Sequence, residues 1–146
     1  MSEQEKKLVR EFLAAFEERD VEKALAFLTE DAAWVTPASA YEGKPAVRRY
    51  LNWEFEMVPS LTVTETGAGL IVQDDKALVE HTLTGTVRGE PCEWLAMCAY
   101  EFRDAKIREV RTVYDRLSLI QQSATGWLES KVVDLVASQA ESGLHE

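Results

Sequence analysis

Few side chains in this chain of 146 residues are suited to chemistry at neutral pH. It holds two histidines, His81 and His145, and two cysteines, Cys92 and Cys98. His81 is the interior candidate whose unperturbed pKa, roughly 6.5, lies near neutrality. As a general base it would take a proton from carbon or from water. Residues 107–114 alternate as a strand does, with Ile107, Glu109, Arg111 and Val113 on one face and Arg108, Val110, Thr112 and Tyr114 on the other. From that second face Tyr114 or Thr112 would donate a hydrogen bond to the oxyanion that such a proton transfer creates. The competing reading is a histidine hydrogen-bonded in a partly polar core. Cys98 as a nucleophile would need an activating base beside it, whereas as a small buried residue it needs nothing. Glu80 should point away from His81, toward the surface or a dimer interface, and the pairs Glu54/Glu56 and Asp74/Asp75 read as solvated surface.

Composition narrows the classes further. Cys92 and Cys98 lie six apart in one strand-like run, on one face but about 20 Å apart along it. A disulfide needs α-carbons within roughly 7 Å, so none is expected. No Cys/His cluster has metal-ligand spacing, and neither a metal nor an organic cofactor is expected. With 16 basic against 26 acidic residues the net charge is -10, which repels a nucleic-acid backbone or an anionic membrane surface. The apolar runs are too short to span a bilayer, and MSEQEKK lacks the apolar core of a signal peptide. The expectation is one cytoplasmic domain that buries roughly two thirds of its unfolded surface.

The elements that must position these residues follow from periodicity. Ser2 and Glu5 have the form of a capping box, and Leu8, Val9, Phe12, Leu13 and Phe16 recur at helical spacing, which predicts a helix over about 3–18. Asp20 caps a short second helix with apolar positions Val21, Ala24, Leu25 and Leu28. A strand over about 32–36 ends at Pro37, and Pro45 opens a third helix carrying Val47, Tyr50, Leu51, Trp53, Phe55 and Val58, stopped by Pro59. From Leu61 four runs rich in Val, Thr and aromatics are separated by QDDK, RGEP and RDAK, which predicts an antiparallel meander. After Asp115 the last strand is expected to run out into a connection. Residues 123–140 then form an amphipathic helix whose stripe of Trp127, Leu128, Val132, Leu135 and Val136 needs covering by the sheet, a pocket mouth or a second subunit. The order describes an α+β fold: a cone-like curved antiparallel sheet wrapped around three N-terminal helices, plus a C-terminal helix.

In this order the segments FLAAFEERDVEKALAFLTEDAAWVTP, YEGKPAVRRYL, LTGTVRGEP and FRDAKIREVRTVYDRLSLIQQ resemble the nuclear transport factor 2-like superfamily. Within it they are similar to the SnoaL-like polyketide cyclases, limonene epoxide hydrolases and ketosteroid isomerases. The resemblance implies a SnoaL-like domain over 1–122 with 123–146 as its helical extension, a deep apolar pocket, and a homodimer built on the outer sheet face. Residues 111–115 match the cyclase pattern R-D-x-x-D with Thr112 where the catalytic aspartate stands and Asp115 at the second, structural one. The Arg-x-Asp and Tyr-x-Asn pairs of the epoxide hydrolases fall on His81 and Leu83, and on Trp34 and Thr36. The isomerase base falls on Thr36 and its tyrosine on Phe12.

Strand parity and these correspondences give the inward set. His81, Tyr114 and Thr112 are its candidate catalytic groups, and Trp34, Thr36, Leu83, Trp94, Cys98 and Val110 join Phe12, Phe16, Tyr50 and Trp53 as substrate-binding candidates. Two functions fit. One is a cofactor-independent isomerase, cyclase or epoxide hydrolase-like enzyme that acts by proton transfer on an apolar cyclic or polyketide-like compound. The other is a non-catalytic binding module for a hydrophobic small molecule or a protein partner, since the relatives' catalytic carboxylates are replaced.

Overall fold

Alternation at every second residue carries most of the chain between residues 60 and 114 into one sheet. The computed structural model describes residues 2–143, so His145 lies outside it. The elements are α1 (Ser2–Glu17), α2 (Val21–Leu25), β1 (Leu28–Val35), β2 (Ala40–Glu42), α3 (Lys44–Met57), β3 (Ser60–Gln73), β4 (Lys76–Val87), β5 (Glu90–Arg103), β6 (Lys106–Tyr114), α4 (Arg116–Ser123) and α5 (Gly126–Ala140). The sheet order is β2-β1-β6-β5-β4-β3. β3 to β6 form the expected antiparallel meander, while β1 joins β6 in parallel and pairs with β2 antiparallel. The six strands make a curved, unclosed sheet in an α+β architecture.

Helices fill the concave side. α1 buries Val9, Phe12, Leu13 and Ala15, and α3 buries Val47, Leu51 and Phe55. α1 is tied to the edge strand by Arg10, whose Nε donates to Glu65 at 2.8 Å, and by Glu17, which accepts from the Val63 amide at 2.5 Å. These ties aim Phe12 and Phe16 at the sheet. Between Glu65 and Leu70 the β3–β4 register shifts, and there the Glu80 carboxylate accepts from the Ala68 amide at 2.7 Å. A Cβ at Gly67, where φ is +57°, would stand 2.2 Å from that carboxylate, so glycine avoids both the backbone strain and a displacement of the Glu80 side chain. Glu80 therefore pins a bulge.

Four local features differ from the sequence expectation. Leu28 opens β1 opposite Ile107 instead of closing the second helix, because parallel pairing with β6 captures it. Ser2 already lies inside α1, so its place is not the cap. Ile107 is fully buried, not on the charged face. Glu101 pairs with Glu109 and Phe102 with Ile107, so Arg108 is an extra residue on β6 that inverts the alternation before it. After Asp115 the chain turns into α4 rather than a plain connection, because Asp115 Oδ1 accepts from the Ser118 amide at 3.0 Å as an N-cap. The Gln122 side chain then makes two 2.8 Å hydrogen bonds to the backbone of Glu93, holding α4 against β5.

The terminal helix forms as expected, over Gly126–Ala140. Glu129 pairs with Arg88, and Ala137 is buried, yet Trp127, Leu128, Val132, Leu135 and Val136 remain exposed. Neither the sheet nor the pocket mouth of the same chain covers that stripe.

Candidate active site

The concave face closes over a cavity of about 160 Å³. Its sheet wall is Trp34 from β1, His81 and Leu83 from β4, Trp94 and Cys98 from β5, and Thr112 and Tyr114 from β6. Register explains the row: His81 opposes Ala96, and Ala96 opposes Tyr114, so a methyl group separates the imidazole and the phenol across the sheet. The opposite wall comes from Phe12, Leu13 and Phe16 of α1, Leu119 of α4, and the α3 stripe Tyr50, Trp53, Glu54 and Met57. Those α3 positions recur at helical spacing on one face. A larger groove, about 830 Å³, lies at the start of α1 beside the β3–β4 and β5–β6 turns. Exposed charged groups such as Lys7, Glu11, Asp75 and Arg103 line it, so it lacks the enclosed apolar character of a small-molecule site.

Glu54 is the unexpected member. Its side chain keeps only 16% of its surface, and its Oε2 accepts from Arg19 Nη1 at 3.0 Å. Loss of water outweighs the attraction to Arg19 and pushes the carboxyl up to about 7. Arg19 is 10% exposed and packs against an edge-to-face pair of rings, 4.8 Å from the centre of Phe16 and 4.6 Å from that of Phe55. Burial likewise lowers the Arg19 guanidinium. A carboxyl that titrates near neutrality beside an apolar cavity can both accept and return a proton.

Around it the other polar groups are held neutral. Burial raises the phenols of Tyr50 and Tyr114, with the nearby Glu54 charge adding to both, so each is a hydrogen-bond donor at pH 7. His81 is 2% exposed and burial lowers its pKa, favouring the uncharged imidazole. Its Nδ1 and the Trp34 Nε1 are buried without a hydrogen-bond partner. Cys98 lies 3.4 Å from the Thr112 hydroxyl, and burial raises its thiol, so it is a poor nucleophile. Among the described residues no group of three His, Cys, Asp or Glu side chains could hold a metal ion.

A family model described as a SnoaL-like domain matches residues 9–110. The chain belongs to the SnoaL-like domain family. No curated protein matches it. Solved structures similar to this SnoaL-like chain include a candidate polyketide cyclase from Xanthomonas campestris pv. campestris, with 19% identity, a TM-score of 0.75, and coverage of 83% of this chain and 97% of that one. An LEH-like epoxide hydrolase from M. tuberculosis has 19% identity and a TM-score of 0.68, covering 90% of this chain and 95% of that one. A protein of ketosteroid isomerase-like fold from Catenulispora acidiphila, crystallised with trimethylamine, has 18% identity and a TM-score of 0.73, covering 82% and 93%. At these identities the likeness establishes the fold.

Of the inward set drawn from the sequence, this SnoaL-like cavity brings together Phe12, Phe16, Trp34, Tyr50, Trp53, His81, Leu83, Trp94, Cys98, Thr112 and Tyr114. Thr36 is not among them. The strand ends at Val35, and the Thr36 hydroxyl is committed to a turn, donating to the Ser39 carbonyl at 3.1 Å and accepting from the Ala38 and Ser39 amides. Val110 is buried in the main core and does not line the cavity. Trp53 sits at the rim, 57% exposed. Glu54 reads from the sequence as solvated surface with Glu56, but its spacing of four from both Tyr50 and Val58 places it on the cavity face. Tyr100 also lines the cavity, at the same parity as Trp94 and Cys98.

Proposed function

We propose that this SnoaL-like protein is an enzyme that moves a proton on a small apolar compound of one ring bearing a carbonyl group. The observation that carries the reading is the Glu54 carboxyl, enclosed at an aromatic cavity and held at about 7. Glu54 takes a proton from the carbon next to the carbonyl, the electron pair moves to the carbonyl oxygen, and the resulting enolate is held by phenol donors from Tyr114 and Tyr50. Return of the proton to the same carbon gives exchange; return to a conjugated position shifts a double bond. His81 and Thr112 orient the ligand by hydrogen bonds. Size points to the class: a cavity of about 150 Å³ accepts one benzene ring, and this one, open at the Trp53 rim, measures about 160 Å³, a match for a one-ring compound.

The same proposal includes a homodimer formed on the outer sheet face. Met97 and Val113 oppose each other there and, with Leu95, present exposed apolar surface on adjacent strands. A second reading, a binding module without turnover, is favoured by one observation: Glu54 is the only carboxylate that lines the cavity among the described residues, and it is already paired.

Deuterium incorporation next to the carbonyl of cyclohexanone, followed by proton NMR, tests the proposal. Wild type should exchange the ring protons faster than buffer, and Glu54→Gln should lose on the order of a hundredfold or more in rate while still binding the ketone. Binding without exchange in the wild type would select the binding module.

A further inference from the structure

We infer that Arg19 is a positioning residue for Glu54, holding its carboxyl at the cavity wall and supplying its counter-charge. The inference rests on Glu54 being the proton-transfer group proposed above. Arg19 follows α1 with a left-handed backbone, φ 58°, which is unusual for a residue with a side chain and turns the chain so that the guanidinium folds back over the helix. Its amide donates to the Phe16 carbonyl at 3.1 Å and its Nη1 reaches the same carbonyl at 3.4 Å. The guanidinium is thus fixed at its base and packed against the Phe16–Phe55 ring pair, with its Nη1 reaching the Glu54 carboxylate at 3.0 Å.

A packing role does not account for this arrangement. Nε and Nη2 are buried without partners, so the site bears the cost of two unsatisfied donors to present one charge. An apolar side chain of similar length would cover the two rings without that cost, and buried ion pairs are often replaceable in this way without loss of stability. What an apolar residue would not do is act on Glu54. The remaining titratable groups around the cavity are the Tyr50 phenol on the same helix as Glu54, Tyr114 on β6, Tyr41 on β2, Cys98 and Tyr100 on β5 and His81 on β4, with Arg116 beyond Tyr114. Among the described residues Arg19 is the cation that acts on Glu54, through both contact and charge. The geometry also links Arg19 to the ligand wall, because Phe16 stacks on Trp34 with ring centres 5.8 Å apart.

Arg19→Met and Arg19→Lys in the full chain test this through the titration of Glu54, read by carbon-13 NMR of the labelled side-chain carboxyl, with no ligand needed. Loss of an opposite charge at this range raises a carboxyl by roughly one to three pH units. The Met variant should move the Glu54 midpoint up by that amount, and the Lys variant, which keeps the charge but loses the planar guanidinium, should move it less. The pH at which cyclohexanone exchange is half-maximal should follow by the same displacement. A Glu54 midpoint that stays within a few tenths of wild type in a folded Met variant would overturn the inference, as would a Lys variant that shifts as far as Met. If the NMR midpoint moves and the exchange profile does not, Arg19 still governs Glu54, and it is the assignment of Glu54 as the proton-transfer group that fails. Should Arg19→Met not fold, Arg19→Gln takes its place as the charge-free variant: a rise of its midpoint supports the inference, and an unchanged one overturns it.

Discussion

Replacing Glu54 with Gln should change how stability depends on pH. A carboxyl raised from 4.5 to about 7 in the folded protein binds its proton more tightly there than in the unfolded chain. Between those two values the native state holds more protons, so the free energy of unfolding falls as pH rises through the window. The gap corresponds to about 3 kcal/mol at roughly 1.4 kcal/mol per pH unit, and residual contact with water trims it to about 2–3 kcal/mol. His81 works in the opposite direction. Its lowered pKa withdraws stability as pH drops below its ordinary 6.5, so the wild-type curve alone mixes the two. Subtracting the Glu54→Gln curve from that of the wild type isolates Glu54. Urea unfolding at pH 5 and at pH 8 should therefore show wild type losing about 2–3 kcal/mol relative to the variant. Two curves that run parallel would show that the carboxyl is not buried in the way that its 16% exposure and Arg19 contact imply.

Other consequences follow from the cavity walls. Tyr114→Phe removes one phenol donor and should lower the cyclohexanone exchange rate by about a hundredfold, with little change in ketone affinity measured by ligand-observed NMR. Ala96→Leu places a large side chain between His81 and Tyr114, so calorimetry should show loss of cyclohexanone binding, at a cost in stability of about 1–3 kcal/mol from overpacking. Met97→Lys puts a charge in the middle of the outer apolar face and should convert a dimer to a monomer by light scattering, leaving cavity binding intact. Gly67→Ala drives a methyl group into the Glu80 carboxylate and forces strained backbone, so its thermal midpoint should fall by several degrees.

Much of the fold was legible because its elements repeat one signal. The four β runs alternate over many residues, and the turns between them carry Asp and Gly, so the meander and most of the inward-facing residues could be read directly. Legibility failed where one residue changed the phase. Arg108 is a bulge that sequence does not mark, and it moved Ile107 into the core. It also failed where a strand was recruited by a distant partner, as Leu28 was by Ile107. The site was readable on the sheet and misread on α3, since Glu54 reads with Glu56 as an acidic pair and such charges are usually solvated. Its burial depends on Arg19, distant in sequence and presented by a left-handed turn, which no local pattern encodes. Thr36 failed for a simpler reason: the strand ended one residue earlier, and the hydroxyl was claimed by the turn.

The central claim is that Glu54 exchanges protons with a one-ring ketone held in the aromatic cavity. The most direct measurement is the rate of deuterium incorporation into cyclohexanone by the wild-type protein across the pH range 5 to 9, with Glu54→Gln alongside. The account predicts a rate that rises with a midpoint near 7 and is lost in the variant. A rate that matches buffer at every pH, or one that Glu54→Gln leaves unchanged, would contradict it.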